Sequence, residues 1–203
     1  PAFDHSRPEE RAGIVQREFY PPEMSNERCR RYLDDELPRP MQVLNRTLAE
    51  TQAARDKIPA GSSVVHWFKR DLRLQDNRGL SLASQKAKEE GIPLICVYIV
   101  SPQDYQAHLT SAVRVDFELR TLEVMKADLA ELNIPLYVTT VEDRKAVHGH
   151  LMEKWKAWGA KHVFCNIEYE VDELRREVKL VKSCLEEGIN FTAVHDDVVV
   201  PPG

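Results

Sequence analysis

From residue 62 onward, short apolar runs and longer segments of helical period take turns without interruption, and this alternation leaves few folds open. The runs cover residues 64–68, 94–100, 135–139, 162–166 and 190–194, each a strand's length and bounded by turn residues. Between them lie predicted helices at 78–90, 112–132, 142–158 and 172–187. In the second, Val115, Leu119, Leu122, Leu129 and Leu132 share one face. In the fourth, Val171, Leu174, Val178, Val181 and Leu185 do the same, at the spacings of three and four that mark an amphipathic helix. Gly91, Gly159 and Gly188 follow three of the helices and Asn133 the fourth, all residues that tolerate the left-handed turn that ends a helix. Strands and helices in strict alternation predict an α/β fold, a five-stranded parallel sheet with helices on both faces, over residues 62–203. The pattern leaves strand order open.

Residues 1–61 have a different texture, and we expect an N-terminal extension there. Pro21, Pro22, Pro38 and Pro40 break the segment. Pro40 suits the first turn of a helix, and Leu44, Leu48 and Ile58 hint at a stripe running through Thr51 and Arg55. The expectation is an irregular arm followed by one helix ending near Pro59-Ala60-Gly61, packed against a neighbouring domain.

If the sheet is parallel, every strand's carboxyl end opens onto one edge, where ligands of open α/β sheets bind. Four segments meet there: 69–76, 101–110, 142–143 and 166–173. The first opens with a burst of charge, Lys69-Arg70-Asp71-Leu72-Arg73, directly after the apolar run. It lacks the glycines of a dinucleotide-binding turn and the Gly-Lys-Ser/Thr of a phosphate loop, and its first glycine, Gly79, already lies in the predicted helix. The second segment is long for such a connection and carries Tyr105 and His108.

A net charge of −5 excludes a broad phosphate-binding surface on this chain. Cys29, Cys96, Cys165 and Cys184 form no C-x-x-C pair and read as buried thiols rather than a zinc site. No nucleophile–base pair and no metal motif emerges, so we expect no turnover from this chain alone. Leu151, Trp155 and Trp158 read as core. Arg175, Arg176, Lys179 and Lys182 read as a solvated helix face.

Residues 67–77, Trp-Phe-Lys-Arg-Asp-Leu-Arg-Leu-Gln-Asp-Asn, closely resemble the opening motif of the photolyase/cryptochrome family. The family form has Arg at the position of Lys69 and often His at that of Gln75. The resemblance extends over residues 63–203 and includes Asn166-x-x-Tyr169-Glu170. It is closest to members that hold methenyltetrahydrofolate as a light-harvesting antenna. In those members the positions matching His108, Asp172 and Glu173 touch the pterin, with an amide usual where Asp172 stands. A pterin presents a ring N–H beside an exocyclic amine, and a carboxylate such as Glu173 can accept from both. An aspartate cannot donate as an amide does, so Asp172 also reads as the N-cap of the last helix, Glu173 as a first-turn acid and His108 as an ordinary loop histidine. Other members seat a deazaflavin instead, which would give Phe68, Lys69 and Arg70 that role.

The resemblance implies that this chain is the antenna domain of a longer polypeptide whose helical C-terminal domain binds FAD. Extensions like residues 1–61 occur in fungal members acting on cyclobutane pyrimidine dimers. The expected partners are that FAD-binding domain and, only through the whole protein, damaged DNA. A monomer located in the cell, in the nucleus, with no membrane contact, completes the expectation. Two alternatives stand beside it: the matching domain of a cryptochrome, and a stand-alone nucleotide-binding α/β module.

Overall fold

A computed structural model of the chain describes residues 26–196 and 198–200. The irregular arm expected before residue 26 lies outside the described residues, as do residues 201–203. Five strands, β1 (Ser63–Phe68), β2 (Leu94–Val100), β3 (Leu136–Thr140), β4 (Ala160–Asn166) and β5 (Asn190–Val194), form one sheet in the order β3-β2-β1-β4-β5. Every pairing is parallel. The central strand β1 is buried along its whole length, which is why its sequence is a continuous apolar run and not an alternating one.

Successive β1 side chains enter opposite layers. Val64 and Phe68 pack with α3 (Arg78–Glu90) and α5 (Ala112–Glu131) through Leu80, Ala83, Ala87, Leu122, Met125 and Leu129. Val65 and Trp67 join the other layer with α6 (Val147–Ala157) and α7 (Val171–Glu186), where Leu151, Trp155, Leu180 and Val181 are all fully enclosed. The sheet with helices on both faces is as the sequence predicts. Gly91, Asn133, Gly159 and Gly188 all take positive φ at the helix ends.

Four local features depart from the sequence reading. Two helices, α1 (Asn26–Leu33) and α2 (Pro40–Arg55), occupy the extension where one was expected. The stripe on α2 is closed by a charge: Arg55 is 2% exposed, and its five N–H donors reach Thr51, Asn190, the Phe191 and Leu48 carbonyls, and Gln52. That full satisfaction is what lets a guanidinium lie between α2 and β5. Residues 101–110 hold a short helix, α4 (Pro102–Ala107), too brief to show a period. Helix α6 begins at Val147 and not at 142, because Asp143 turns the chain first, accepting from the Lys145 and Ala146 amides.

Candidate functional site

The carboxyl edge of the sheet contains two different environments. At the switch point, where the chain's course reverses between β1 and β4, side chains fill the crevice. Asn166 donates to Asp71 (2.6 Å), Asn77 (3.0 Å) and Asp196 (3.0 Å). The first amides of α3 are taken as well: Arg78 N–H by Asp196, Gly79 N–H by Asn166, Leu80 N–H by Asn77. A helix N-terminus whose donors are already satisfied offers nothing to a pyrophosphate. This is the physical counterpart of the missing glycine fingerprint. Asn77 is the cap of α3, while Arg73 pairs with Asp196 and Arg70 with Glu170, so these side chains after β1 are tied into the architecture.

On the other side, above β1 and β2, a cavity of about 350 Å³ opens. Trp67, Phe68, Tyr98 and Tyr105 give it aromatic walls, and Lys69, Arg70, Glu168 and Glu173 reach its edge. Tyr98 O–H lies 3.3 Å from Tyr105 O–H and within reach of Glu118. Two polar atoms at the cavity, Ser101 Oγ and His108 Nε2, are buried without a partner. Unsatisfied groups facing an aromatic slot suit a planar, polar-edged ligand.

Beneath the cavity, Lys69 is 7% exposed and held by Glu177, with Glu168 at 3.7 Å. Despite burial, Glu177 and Glu168 keep the ammonium protonated far above its ordinary range. Burial pushes the Glu168 carboxyl up to about 7, with Lys69 and Arg70 opposing.

The structure brings all three predicted antenna residues together. His108 Nε2 lies 3.6 Å from Glu173 Oε1 and 3.6 Å from Asp172 Oδ2. Glu173 and then Asp172 hold the imidazole pKa above its usual value against burial and Arg70. Burial alone would raise the Glu173 carboxyl, but His108 and Arg176 bring it below the ordinary carboxylate range. Asp172 is not an N-cap: α7 starts at Val171 with Glu170 in the cap position, and Asp172 sits in the first turn, paired with Arg144. The repulsion between adjacent anions is thereby neutralised.

Glu173 is also not free to accept two donors at once. Its Oε2 lies 2.7 Å from Arg176 Nη1, which leaves Oε1, 3.6 Å from His108 Nε2, as the oxygen without a guanidinium. Arg176 was assigned to a solvated face by its position among other cations. It is instead largely enclosed, bridging Glu173 to Asp104. Asp104 and Arg144 escaped notice because they sit on a short helix and a connecting turn, where no periodicity or motif marks them. Asp104, His108 and Glu173 carry donor atoms within 4.8 Å of one another, yet two guanidiniums already supply the positive charge there. The role of Phe68, Lys69 and Arg70 in a deazaflavin member also fits the geometry, since all three line the cavity.

Comparison with known proteins agrees with this geometry. The DNA photolyase family model matches residues 64–203. A deoxyribodipyrimidine photo-lyase of Neurospora crassa is 60% identical over 94% of this chain, and one from Vibrio cholerae is 34% identical over 68%. The chain spans 32% and 28% of the lengths of these two relatives. Among solved structures, a Synechocystis cryptochrome matches with a TM-score of 0.55 at 26% identity, covering 66% of this chain and 27% of its own. An archaeal photolyase from Sulfolobus tokodaii, solved with two FAD molecules and an implied light-harvesting cofactor, matches with a TM-score of 0.54 at 26% identity, covering 68% of this chain and 30% of its own. Sheet order, the closed switch point, the charged strand exit and these matches lead to one conclusion: the chain belongs to the DNA photolyase family.

Proposed function

We propose that this chain is the light-harvesting domain of a deoxyribodipyrimidine photolyase, holding a reduced folate at the mouth of the aromatic cavity. Photolyases and cryptochromes are flavoproteins, and the family pairs FAD with an antenna chromophore. The observation that carries the reading is the meeting of His108 and Glu173, from two distant segments, at the edge of a cavity walled by Trp67, Phe68, Tyr98 and Tyr105. Near-ultraviolet absorption, with transfer of the excitation to FAD, is the chemistry a methenyltetrahydrofolate supplies in such a place.

The chain's own residues bind and orient. Glu173 Oε1 accepts from an N–H on the pterin edge, a charge-assisted bond in a partly water-excluded setting. His108 Nε2, 3.6 Å from Glu173 Oε1, is the adjacent polar contact. Asp172, committed to Arg144, contributes field and not a donor. The aromatic walls exclude water and fix the plane of the ring. Cleavage of a pyrimidine dimer belongs to the rest of the longer protein, whose FAD-binding domain is this chain's partner and whose surface meets damaged DNA. Among the described residues no helix is long and apolar enough to cross a membrane.

Identity favours a photolyase over a cryptochrome, since the resemblance to the Neurospora crassa photo-lyase extends over 94% of the chain, N-terminal extension included. The test is direct. Acid extraction of the purified longer protein releases flavin together with a reduced folate. Extraction of a deazaflavin instead would transfer the assignment to Phe68, Lys69 and Arg70 in the same cavity, and flavin alone would refute the antenna reading.

A further inference from the structure

Six side chains, four of them lining the cavity, form a closed ring of alternating charge. Asp172 pairs with Arg144, and Arg144 Nε lies 2.9 Å from Asp104 Oδ1. Arg176 Nη2 donates to both Asp104 oxygens, at 3.1 and 3.2 Å, and Arg176 Nη1 meets Glu173 Oε2 at 2.7 Å. His108 closes the ring, 3.6 Å from Glu173 Oε1 and from Asp172 Oδ2. The ring ties together α4, the turn before α6 and the first turn of α7. Its anchorage is reinforced by the Arg144 amide, which donates to Gln103 on α4 at 3.1 Å.

The arithmetic of the ring is informative. Three carboxylates face two guanidiniums, a net charge of −1 with a neutral imidazole and zero with a protonated one. Arg70, reaching in from the end of β1, is the further charge felt by His108, and it opposes protonation. The two guanidiniums occupy four carboxylate oxygens, both of Asp104, Oδ2 of Asp172 and Oε2 of Glu173, so Glu173 offers the cavity a single acceptor in a fixed direction.

We infer that Asp104, Arg144 and Arg176 are positioning residues of the antenna site: they fix which oxygen of Glu173 faces the ligand, and they hold His108, one helical turn beyond Asp104, against it. The identity of the ligand rests on the antenna reading above; the ring does not. The site so built selects a planar edge that presents a donor to Glu173 Oε1. It disfavours an anionic edge once His108 is neutral, because the ring then carries a net charge of −1.

The experiment uses the longer protein that carries this chain, with histidine labelled for NMR and the His108 signal assigned by its loss in His108→Gln. Asp104→Asn, Arg176→Gln and Arg176→Lys are compared with the parent, and methenyltetrahydrofolate is the binding probe. Asp104→Asn takes a negative charge from the ring and lowers the His108 midpoint. Arg176→Gln takes a positive one and raises it. Both weaken folate binding by about tenfold or more, the equivalent of one charged hydrogen bond, and Arg176→Lys recovers part of the loss. Midpoints that drift in the same direction toward free imidazole overturn the ring, since simple loosening would do that. Opposed midpoints with folate affinity unchanged overturn the positioning role. A parent protein that binds no folate refutes the antenna reading instead, and the two midpoints alone then decide whether the ring exists.

Discussion

Lys69 shows how much a single side chain can be read, and how much it cannot, from its place in the chain. Its position after a buried strand marks it as a residue of the sheet's carboxyl edge, and it is there. That it would be enclosed with two carboxyls, Glu177 and Glu168, was not legible, because both come from segments about a hundred residues away. Lys69 and, from 3.6 Å, the more exposed Arg70 do not fully compensate two buried anions, and Glu177 Oε2 has no hydrogen-bond partner among the described residues. Glu168 therefore keeps its proton up to about 7 in the folded state, against an ordinary value of 4.5. A raised acid binds its proton more tightly when folded, so the stability it contributes is present below pH 4.5 and is lost as pH rises through 7. The loss is of the order of 3 kcal/mol. His66, buried and driven down to about 4 by desolvation, acts in the opposite sense over part of this range, so the difference between parent and Glu168→Gln is the clean quantity. Urea midpoints from pH 5 to 8 should show the parent losing ground to the variant as pH rises; a difference independent of pH would contradict the burial argument.

Among elements, helix α3 is set by a contact that composition does not reveal. Its first turn lies against β4, and a Cβ on Gly79 would come within 2.6 Å of Asn166 Oδ1 and 3.2 Å of the Cys165 backbone. Gly79 thus does for this fold what a fingerprint glycine does for a nucleotide fold, but a side-chain amide takes the space of the phosphate. Gly79→Ala should cost about 1–3 kcal/mol by overpacking. Gly149, exposed inside α6 with open space around it, supplies the contrast: Gly149→Ala should stabilise by about 0.5–1 kcal/mol. Chemical denaturation of the two variants measures both signs, and equal effects would show that helix propensity, not close approach, governs Gly79. The elements themselves were largely legible, since β1 to β5 read as short apolar runs and α5 and α7 carry helical periods. Helix α4 was not, because six residues complete fewer than two turns. The expected Asp172 cap lies two residues from the observed one for a related reason: Glu170 and Asp172 are both acceptable near a helix start, and only the path of the backbone chooses between them.

Over the whole molecule, the parallel sheet turns a linear series of strand exits into one polar rim, and that is why His108, on a short helix after β2, can meet Glu173, on the helix after β4. The parallel sheet, though not its strand order, was legible from alternation, and the pairing of those two residues from the resemblance of their motifs. The arginine framework around them was not, because it depends on side chains converging from three elements. The rim and the closed switch point together divide the edge into a structural half and a ligand half, which distinguishes this fold from a nucleotide-binding one of the same class. The most direct measurement of that claim is the ratio of near-ultraviolet to flavin absorbance in the purified longer protein, before and after Glu173→Ala. The account predicts a marked fall in the near-ultraviolet chromophore with flavin content unchanged; an unaltered ratio would contradict it.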